Sequence, residues 1–297
     1  MPLPVPTGRV VCFGAACVDR TFRTLDEVRE GTSNPALAQT GFGGVARNVA
    51  ENLARLGVPV ALCSVVGDDE AGRALVAQLR SAGAEVTGVA IARDLATPQY
   101  AAMIAPDGEL FAGTADVRAI DALTPDDLER VRPQLDGIAW LFVDCNLPAP
   151  LIEACIELRL PSHWRLAVDA VSVAKAPRLP ANLSGIDLLF LNEEEAGACD
   201  GLAAIARRGA ANVVLSRGPR GIVVGDLAIP APAATPVDVT GAGDALVAGT
   251  LYGLLRGESL EASARVGSRL AALTVESTFS VRPDLCAELL DDDTLLA

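Results

Sequence analysis

Apolar runs of strand length alternate with helical patterns through most of this 297-residue chain, and this alternation restricts the fold more than any other feature. Helices are expected at 45–56, where Val45, Val49, Leu53 and Leu56 form one stripe, at 69–81, and from an N-cap at Thr124 onward. The strand candidates are 10–17, 60–66, 139–143, 166–168, 188–191 and 213–215. Continuous apolar strands between helices indicate an α/β fold, with a mostly parallel sheet covered on both faces.

Two segments interrupt this alternation. Residues 21–43 are polar and irregular in pattern, whereas 100–105 and 109–113 resemble paired strands joined by a turn at Pro106-Asp107-Gly108. We therefore expect a small β-sheet lid, built from segments at about 18–42 and 97–116 and inserted in a single domain that spans 1–297.

Charge and composition exclude several classes of partner. The net charge of −14, from 24 basic and 38 acidic residues, disfavours a nucleic acid or an anionic membrane. Residues 1–7 lack the charged start of a secretory signal, and no uncharged apolar run approaches the roughly 18 residues of a membrane span. The seven scattered cysteines form no C-x-x-C pair. These features favour a cytoplasmic protein without disulfides.

Two scarce residue types limit the chemistry. The single histidine, His163, lies in a loop pattern, which disfavours hydrolase triads that need a histidine base. The single lysine, Lys175, follows no glycine-rich loop, so a Walker-type P-loop is absent. The turn after the first strand also lacks the later glycines of a dinucleotide-binding fingerprint.

Polar residues recur where the apolar strands end. They are Asp19, Asp144, Asn146, Asp169, Asn192 and Ser216. Ligands of open α/β sheets bind beyond the carboxyl ends of the strands. The pattern therefore predicts a polar cleft along one edge of the sheet.

The stretch from Asp238 to Asp244 combines a glycine-containing turn with the start of an apolar helix. Backbone N–H groups at a helix N-terminus attract anions, and Gly241 and Gly243 allow a phosphate to approach closely. A carboxylate at Asp244 would repel that phosphate unless it had another task, such as taking the proton of an attacking hydroxyl. This combination suggests phosphoryl transfer.

Three further motifs each have a functional and a plain structural interpretation. Gly43-Gly44 allows a ligand to approach the backbone, and Asn48 can donate to and accept from the two hydroxyls of a sugar; otherwise the motif is a turn before a helix with a polar side. Asn192 and Glu195 could organise Mg²⁺ through its waters, or form an acidic first helical turn. Residues 216–221 could support a nucleotide, or form an ordinary hairpin.

Taken together, these residues resemble the ribokinase-like (PfkB) carbohydrate and nucleoside kinases over nearly the whole chain. Gly43-Gly44 with Asn48 is similar to the sugar-binding glycine motif of that family, and 192–195 to its N-x-x-E magnesium motif, although Glu193 replaces the usual proline. Residues 216–221 resemble its nucleotide-binding turn, and 238–244 its anion-hole segment. The resemblance implies a three-layer α/β/α domain with a β-sheet lid.

The resemblance also implies roles for individual residues. Asp244 would be the general base, and the backbone of Gly241, Ala242, Gly243 and Asp244 the anion hole. The ribose would contact Asp19, Gly43, Gly44, Asn48 and, more weakly, Asn146. ATP would lie across Asn192, Ser216, Gly218 and Gly221, with its adenine near 267–271. Mg²⁺ would sit near Glu195 through water, and a monovalent cation such as K⁺ near Asp238 and Thr240. Lys175 either reaches a nucleotide phosphate or is a surface lysine.

Within the family, the pseudouridine kinase branch is the most similar in the stretches 33–35, 43–48, 144–146, 171–175, 239–241 and 272–285. This implies ATP-dependent phosphorylation of the 5′-hydroxyl of pseudouridine. A kinase for ribose, adenosine or another nucleoside is the alternative within the family, and a catalytically silent sugar sensor the alternative outside it. By analogy with the family, a homodimer would form through an edge of the lid.

Overall fold

The computed structural model describes residues 6–291. Its strands in chain order are β1 (Arg9–Phe13), β2 (Cys17–Thr24), β3 (Ala36–Gly43), β4 (Val60–Gly67), β5 (Glu85–Ala92), β6 (Gln99–Ile104), β7 (Leu110–Asp116), β8 (Ile138–Asp144), β9 (Arg165–Asp169), β10 (Leu188–Asn192), β11 (Val213–Ser216), β12 (Ile222–Val224) and β13 (Leu227–Ile229). Its α-helices are α1 (Val45–Arg55), α2 (Glu70–Ser81), α3 (Arg118–Asp121), α4 (Leu128–Val131), α5 (Ala149–Arg159), α6 (Glu193–Ala198), α7 (Leu202–Arg207), α8 (Ala242–Leu255), α9 (Leu260–Val275) and α10 (Glu288–Asp291).

The large sheet has nine strands in the order β13-β12-β11-β10-β9-β8-β1-β4-β5. Every neighbouring pair from β11 to β5 is parallel, and at one edge β12 pairs antiparallel with both β11 and β13. The predicted parallel sheet is confirmed. Because the parallel strands share a direction, their carboxyl ends meet at one edge of the sheet, where the polar residues follow them.

Helices cover both faces of this sheet, as the apolar strands predicted. Along β1, Val10 and Cys12 pack into a core with α1, α2, α8 and α9, whereas Val11 and Phe13 pack into a second core with α3 to α7. The three-layer α/β/α arrangement is therefore confirmed. The stripe of α1 faces the first core, and Asp69 caps α2 by accepting from the N–H of Gly72 at 2.8 Å.

The small sheet has the order β3-β2-β6-β7. The predicted hairpin is present as β6 and β7, which pair antiparallel across a turn where Gly108 has φ 97°. One expectation was wrong: the strand expected at 10–17 is divided by the turn at 14–16 into β1 and the start of β2. The irregular stretch 21–43 forms the end of β2 and all of β3, within the small sheet where the lid was expected. Strands β2 and β3 gain their order from pairing within this sheet, which the local sequence does not encode.

Helix α8 is buried along most of its length between the sheet and α9. The two helices approach closely at a pair of glycines, since a Cβ added to Gly249 would stand 2.7 Å from the Cα of Gly267. This close packing holds the N-terminus of α8 in place at the carboxyl edge of the sheet.

No helix within residues 6–291 is both long and apolar enough to cross a bilayer. All seven cysteines lie in this range, and each is a free thiol. Cys12, Cys63, Cys145 and Cys155 are buried, and burial raises the pKa of each of these thiols.

Candidate active site

A cavity opens at the carboxyl edge of the large sheet, between the ends of β9, β10 and β11 and the first turn of α8. Of the predicted site residues, it brings together Asn192, Glu195, Ser216, Gly243 and Asp244. Its other lining residues are Val45, Asp169, Val171, Phe190, Leu191 and Leu246. No lysine or arginine is among them.

The N-terminus of α8 presents unpaired backbone donors to this cavity. Gly241 caps the helix in the left-handed conformation, with φ 82°, and a Cβ there would collide with the carbonyl oxygen of Ser280. Within the described chain, the N–H groups of Gly243 and Asp244 have no acceptor. Free N–H groups at a helix N-terminus form an anion site, so a phosphate fits here.

Asp244 lies at the edge of the cavity and contacts α1. Its Oδ2 accepts a hydrogen bond of 2.7 Å from Nδ2 of Asn48. The pKa of Asp244 is raised to about 7, and burial is the largest cause. The hydrogen bond from Asn48 and the charge of Arg47 lower this pKa, whereas the charges of Asp144 and Asp19 raise it. A carboxyl group with a pKa near neutrality is suited to accept a proton from a hydroxyl.

Asp144, which was expected only as one of the polar residues at the strand ends, positions the start of α1. It is fully buried at the end of β8, and its Oδ2 accepts from the N–H groups of Ala15 and Ala46, each at 2.9 Å. The N-cap of α1, Gly44, has no side chain to do this; its φ is 94°, and a Cβ there would meet the carbonyl oxygen of Ala15 at 2.5 Å. Asp144 therefore replaces the missing cap and fixes the helix that carries Asn48.

Asp19 approaches the same region from the small sheet. It lies on β2 opposite Gly41 of β3, and its carboxylate reaches Gly43, where a Cβ would collide with it, so glycine is required at position 43. Burial raises the pKa of Asp19, while the thiol of Cys17 donates to its Oδ1 at 3.4 Å and lowers that pKa. Asp19, Gly43, Gly44 and Asn48 are thus gathered beside Asp244, as the sequence analysis grouped them.

Asn192 and Glu195 bind one another in a capping box at the start of α6. Oδ1 of Asn192 accepts from the N–H of Glu195 at 2.9 Å, and both carboxylate oxygens of Glu195 accept from Asn192, each at 2.8 Å. The structural interpretation is therefore confirmed, and Glu195 also lines the cavity. A role of this pair in organising Mg²⁺ stays a prediction. Burial raises the pKa of Glu195.

Asp169 lines the cavity, as expected for one of the polar residues at the strand ends, although the family resemblance implied no role for it. Burial raises its pKa well above the usual value, and the charges of Asp244 and Glu195 raise it further. Its Oδ1 accepts from the N–H of Val171 at 2.7 Å. Its place at the end of β9 was the available signal, since the neighbouring strand ends contribute Asn192 and Ser216.

The backbone beside Asp169 is strained. Val171 has φ 70°, although its side chain is β-branched, and the N–H of Ser172 donates to the carbonyl of Ala170 at 2.8 Å. These values describe a γ-turn around a residue that rarely adopts it. No feature of the local sequence indicates this turn.

The remaining predicted residues lie outside the cavity lining. Gly218 and Gly221 both have positive φ in the turn after β11, and a Cβ on Gly221 would collide with the carbonyl oxygen of Ile229. Asp238 and Thr240 are exposed, with the N–H of Thr240 donating to Oδ1 of Asp238 at 2.8 Å. Asn146 is held through its main chain, as its N–H donates to Asp144 and its carbonyl accepts from Arg178.

Lys175 is half-buried past the end of β9, beyond the strained turn at Val171. Burial lowers its pKa, the nearby charge of Arg178 lowers it further, and Asp121 and Asp144 raise it. Lys175 does not line the cavity. Contact with a nucleotide phosphate stays a prediction.

Comparisons with known proteins agree with this geometry. Residues 7–283 match the model of the pfkB family of carbohydrate kinases. An uncharacterized sugar kinase of Escherichia coli, YeiI, is 30% identical over 95% of this chain and 83% of its own length. The pseudouridine kinase of Escherichia coli is 27% identical over 93% of each chain. A solved carbohydrate kinase from Agrobacterium tumefaciens is 32% identical, covers 96% of both chains and superposes with a TM-score of 0.85.

Proposed function

This chain belongs to the pfkB family of carbohydrate kinases, whose members are ATP-dependent, and we propose that it phosphorylates the 5′-hydroxyl of pseudouridine. The observation that carries the proposal is the placement of Asp244. This carboxyl group is bound by Asn48 on the side of α1, and it adjoins the unpaired N–H groups that open α8. A base between a sugar-binding group and an anion site has the geometry for phosphoryl transfer.

The reaction follows from these positions. Asp244 removes the proton from the 5′-hydroxyl as that oxygen attacks the γ-phosphorus of ATP. The new O–P bond forms while the bond between the γ-phosphorus and the β,γ-bridging oxygen breaks, and ADP leaves. The unpaired N–H groups of Gly243 and Asp244 stabilise charge on the transferred group. The N–H of Ala242, expected in the same anion hole, instead donates to the carbonyl of Val239 at 3.3 Å. The carboxylate of Asp19 and the amide of Asn48 orient the ribose hydroxyls.

The residues of the cavity fit a hydrated Mg²⁺. Asp169, Glu195 and Asp244 bring carboxyl groups into one cavity without a basic side chain in its lining. Within residues 6–291, no group of three or more metal-binding side chains lies close enough to hold one ion. Mg²⁺ needs only one or two carboxylates, because it keeps several of its waters. Glu195 and Asp169 would hold the ion, which supplies charge neutralisation for the phosphates. K⁺ near Asp238 and Thr240 stays a prediction.

One feature of the lid favours a nucleoside over a free sugar. Tyr100 of β6 lies directly beside Asp19 of β2 in the small sheet, so both side chains project from the same face. The ring extends over Gly113, where a Cβ would stand 2.6 Å from the tyrosine hydroxyl. Tyr100 thus shares a face of the lid with the carboxylate that orients the ribose, and its ring lies toward β7, on the far side of β6 from Asp19. A ring in this position is a suitable platform for a base that extends beyond the ribose.

Tyr100→Ala is expected to raise the KM for a nucleoside by about tenfold, because stacking of a base on an aromatic ring contributes ~1–3 kcal/mol. The kcat/KM for ribose, which has no base, should change much less. Phe22→Ala is the matched control: Phe22 is also 38% exposed, as Tyr100 is, but it projects from the other face of the lid. Equal losses for nucleoside and ribose in Tyr100→Ala would contradict base stacking.

The rate of transfer should depend on pH through Asp244. Since the pKa of its carboxyl group is raised to about 7, the base is largely protonated below that pH and charged above it. We expect kcat to rise with pH through about 7 and then to level off. Asp244→Asn is the control, because an inflection caused by titration of the ATP phosphates would remain in this variant. The pH profile of its residual rate should lack the inflection. A kcat that is constant between pH 5.5 and 8.5 would contradict the assignment.

The site of transfer is tested with a matched pair of substrates. Pseudouridine and 5′-deoxypseudouridine have the same base and the same secondary hydroxyls, but only the first has the proposed acceptor. ADP should form stoichiometrically with pseudouridine 5′-phosphate in the first case and not in the second. Phosphorylation of the 5′-deoxy compound would place the reaction at another hydroxyl.

A further inference from the structure

We propose that Arg47 is a positioning residue, which fixes the amide of Asn48 so that its NH₂ group faces Asp244 and ties this amide to the base of the lid. The proposal rests on the role of Asp244 as general base. Arg47 does not contact Asp244; it acts through the side chain between them.

The contacts of Arg47 determine the orientation of the Asn48 amide. Nη1 of Arg47 lies 2.8 Å from Oδ1 of Asn48, and Nδ2 of Asn48 lies 2.7 Å from Oδ2 of Asp244. A guanidinium group can only donate hydrogen bonds, so the Asn48 atom beside it must be the oxygen. A flipped amide would place its NH₂ against the guanidinium and its oxygen against the carboxylate, and both contacts would be lost.

The same guanidinium is anchored by three further groups, two of them on other elements. Nη1 also donates to the carbonyl of Phe42, near the end of lid strand β3, at 2.8 Å. Nη2 donates to Gln78 of α2 at 2.8 Å and pairs with Glu51 of α1. Arg47 is only 3% exposed, so these contacts leave it little freedom to move. The end of β3 and the amide that faces the base are thereby held by one group.

Charge supports the same role. Arg47 is the cation that lowers the pKa of Asp244, whereas Asp144 from β8 and Asp19 from β2 raise it. Asp169, at the end of β9, lines the same cavity as Asp244, and the charge of Asp244 raises its pKa. Arg47 thus opposes the effect of Asp144 and Asp19 on Asp244, both directly and through the hydrogen bond that it imposes on Asn48.

The test uses a neutral pair, because Arg47→Gln alone would leave Glu51 without its buried partner. In Arg47→Gln/Glu51→Gln, glutamine can present either end of its amide, so Asn48 is no longer held in one orientation. We expect the pH midpoint of kcat to lie about 1 higher than in wild type, as for loss of a nearby opposite charge. At pH 7, kcat should fall by roughly fivefold, and most of it should return above pH 9.

Glu51→Gln alone is the matched control, since its amide oxygen can still accept from Arg47 and position 51 does not contact Asn48. Its pH midpoint should stay at the wild-type value. An unchanged midpoint in the double variant would overturn the proposal and leave Arg47 a structural role. If the double variant does not fold, Arg47→Lys serves instead. Lysine keeps the positive charge but lacks the two Nη groups that donate to Asn48, Phe42 and Gln78. The proposal then requires a lower kcat with an unchanged KM for ATP.

The two hypotheses fail differently. If the wild-type inflection persists in Asp244→Asn, the base assignment itself is wrong. If that inflection disappears but the Arg47 variants match the Glu51→Gln control, only the positioning role is wrong.

Discussion

Asp244→Asn is expected to lower kcat by at least ~10²-fold while leaving the KM for ATP and the nucleoside nearly unchanged, because the loss of a general base costs about this much. The substitution keeps the shape of the side chain, and its amide oxygen can still accept from Asn48. Steady-state kinetics with saturating Mg²⁺ give both constants.

The melting temperature separates this effect from misfolding. Burial raises the pKa of Asp244, so the charged form of this carboxyl group is disfavoured in the folded state. The folded protein therefore loses stability as the pH rises toward 7 and Asp244 ionises. A neutral asparagine avoids that cost, and the variant should melt at a higher temperature than wild type at pH 8. Near-wild-type turnover in a well-folded Asp244→Asn would remove Asp244 from its proposed role.

Gly243→Ala is expected to abolish most activity without destabilising the protein. A Cβ at this position finds no atom within 4 Å, so it fits the folded chain, but it projects from the first turn of α8 at the cavity. There it would occupy the space of the bound phosphate. Since the loss of one anion-hole donor costs ~10²–10³ in kcat, we expect a decrease of similar size, with weaker binding of ATP.

Gly197→Ala is the matched control for this substitution. Gly197 also lies in a helix, α6, and a Cβ there likewise meets no atom within 4 Å, but it does not line the cavity. Both variants should be as stable as wild type or up to ~1 kcal/mol more stable, because alanine is the better helix former. Wild-type kcat/KM for ATP in Gly243→Ala would show that no phosphate approaches this turn.

The parts of the site that were predictable are those encoded in short segments. The turn and helix at 238–244 carry their own signal, because the glycines, the carboxylate and the apolar run are adjacent in the chain. The capping pair of Asn192 and Glu195 is equally local. The alternation of strands and helices predicted the parallel sheet, and that sheet brings these segments to one edge.

The parts that could not be predicted depend on contacts between distant segments. Asp144 caps α1 by accepting from the N–H of Ala46, which lies 98 residues earlier in the chain. The sequence around Asp144 does not indicate that it caps this helix. The hydrogen bond between Asn48 and Asp244 likewise joins residues that lie 196 apart in the chain. The division between β1 and β2 inside one apolar run has a similar cause, since the second half pairs with β3 and β6 in another sheet.

The measurement that tests the central claim most directly is kcat/KM for ATP-dependent phosphorylation of pseudouridine, uridine, adenosine, cytidine and ribose, with Mg²⁺ and K⁺ present. We expect kcat/KM for pseudouridine to exceed that for each of the other compounds by about tenfold or more. Contacts with the base in one pocket can produce a difference of this size. A preference for ribose or adenosine would contradict the proposed substrate and leave a different kinase of this family.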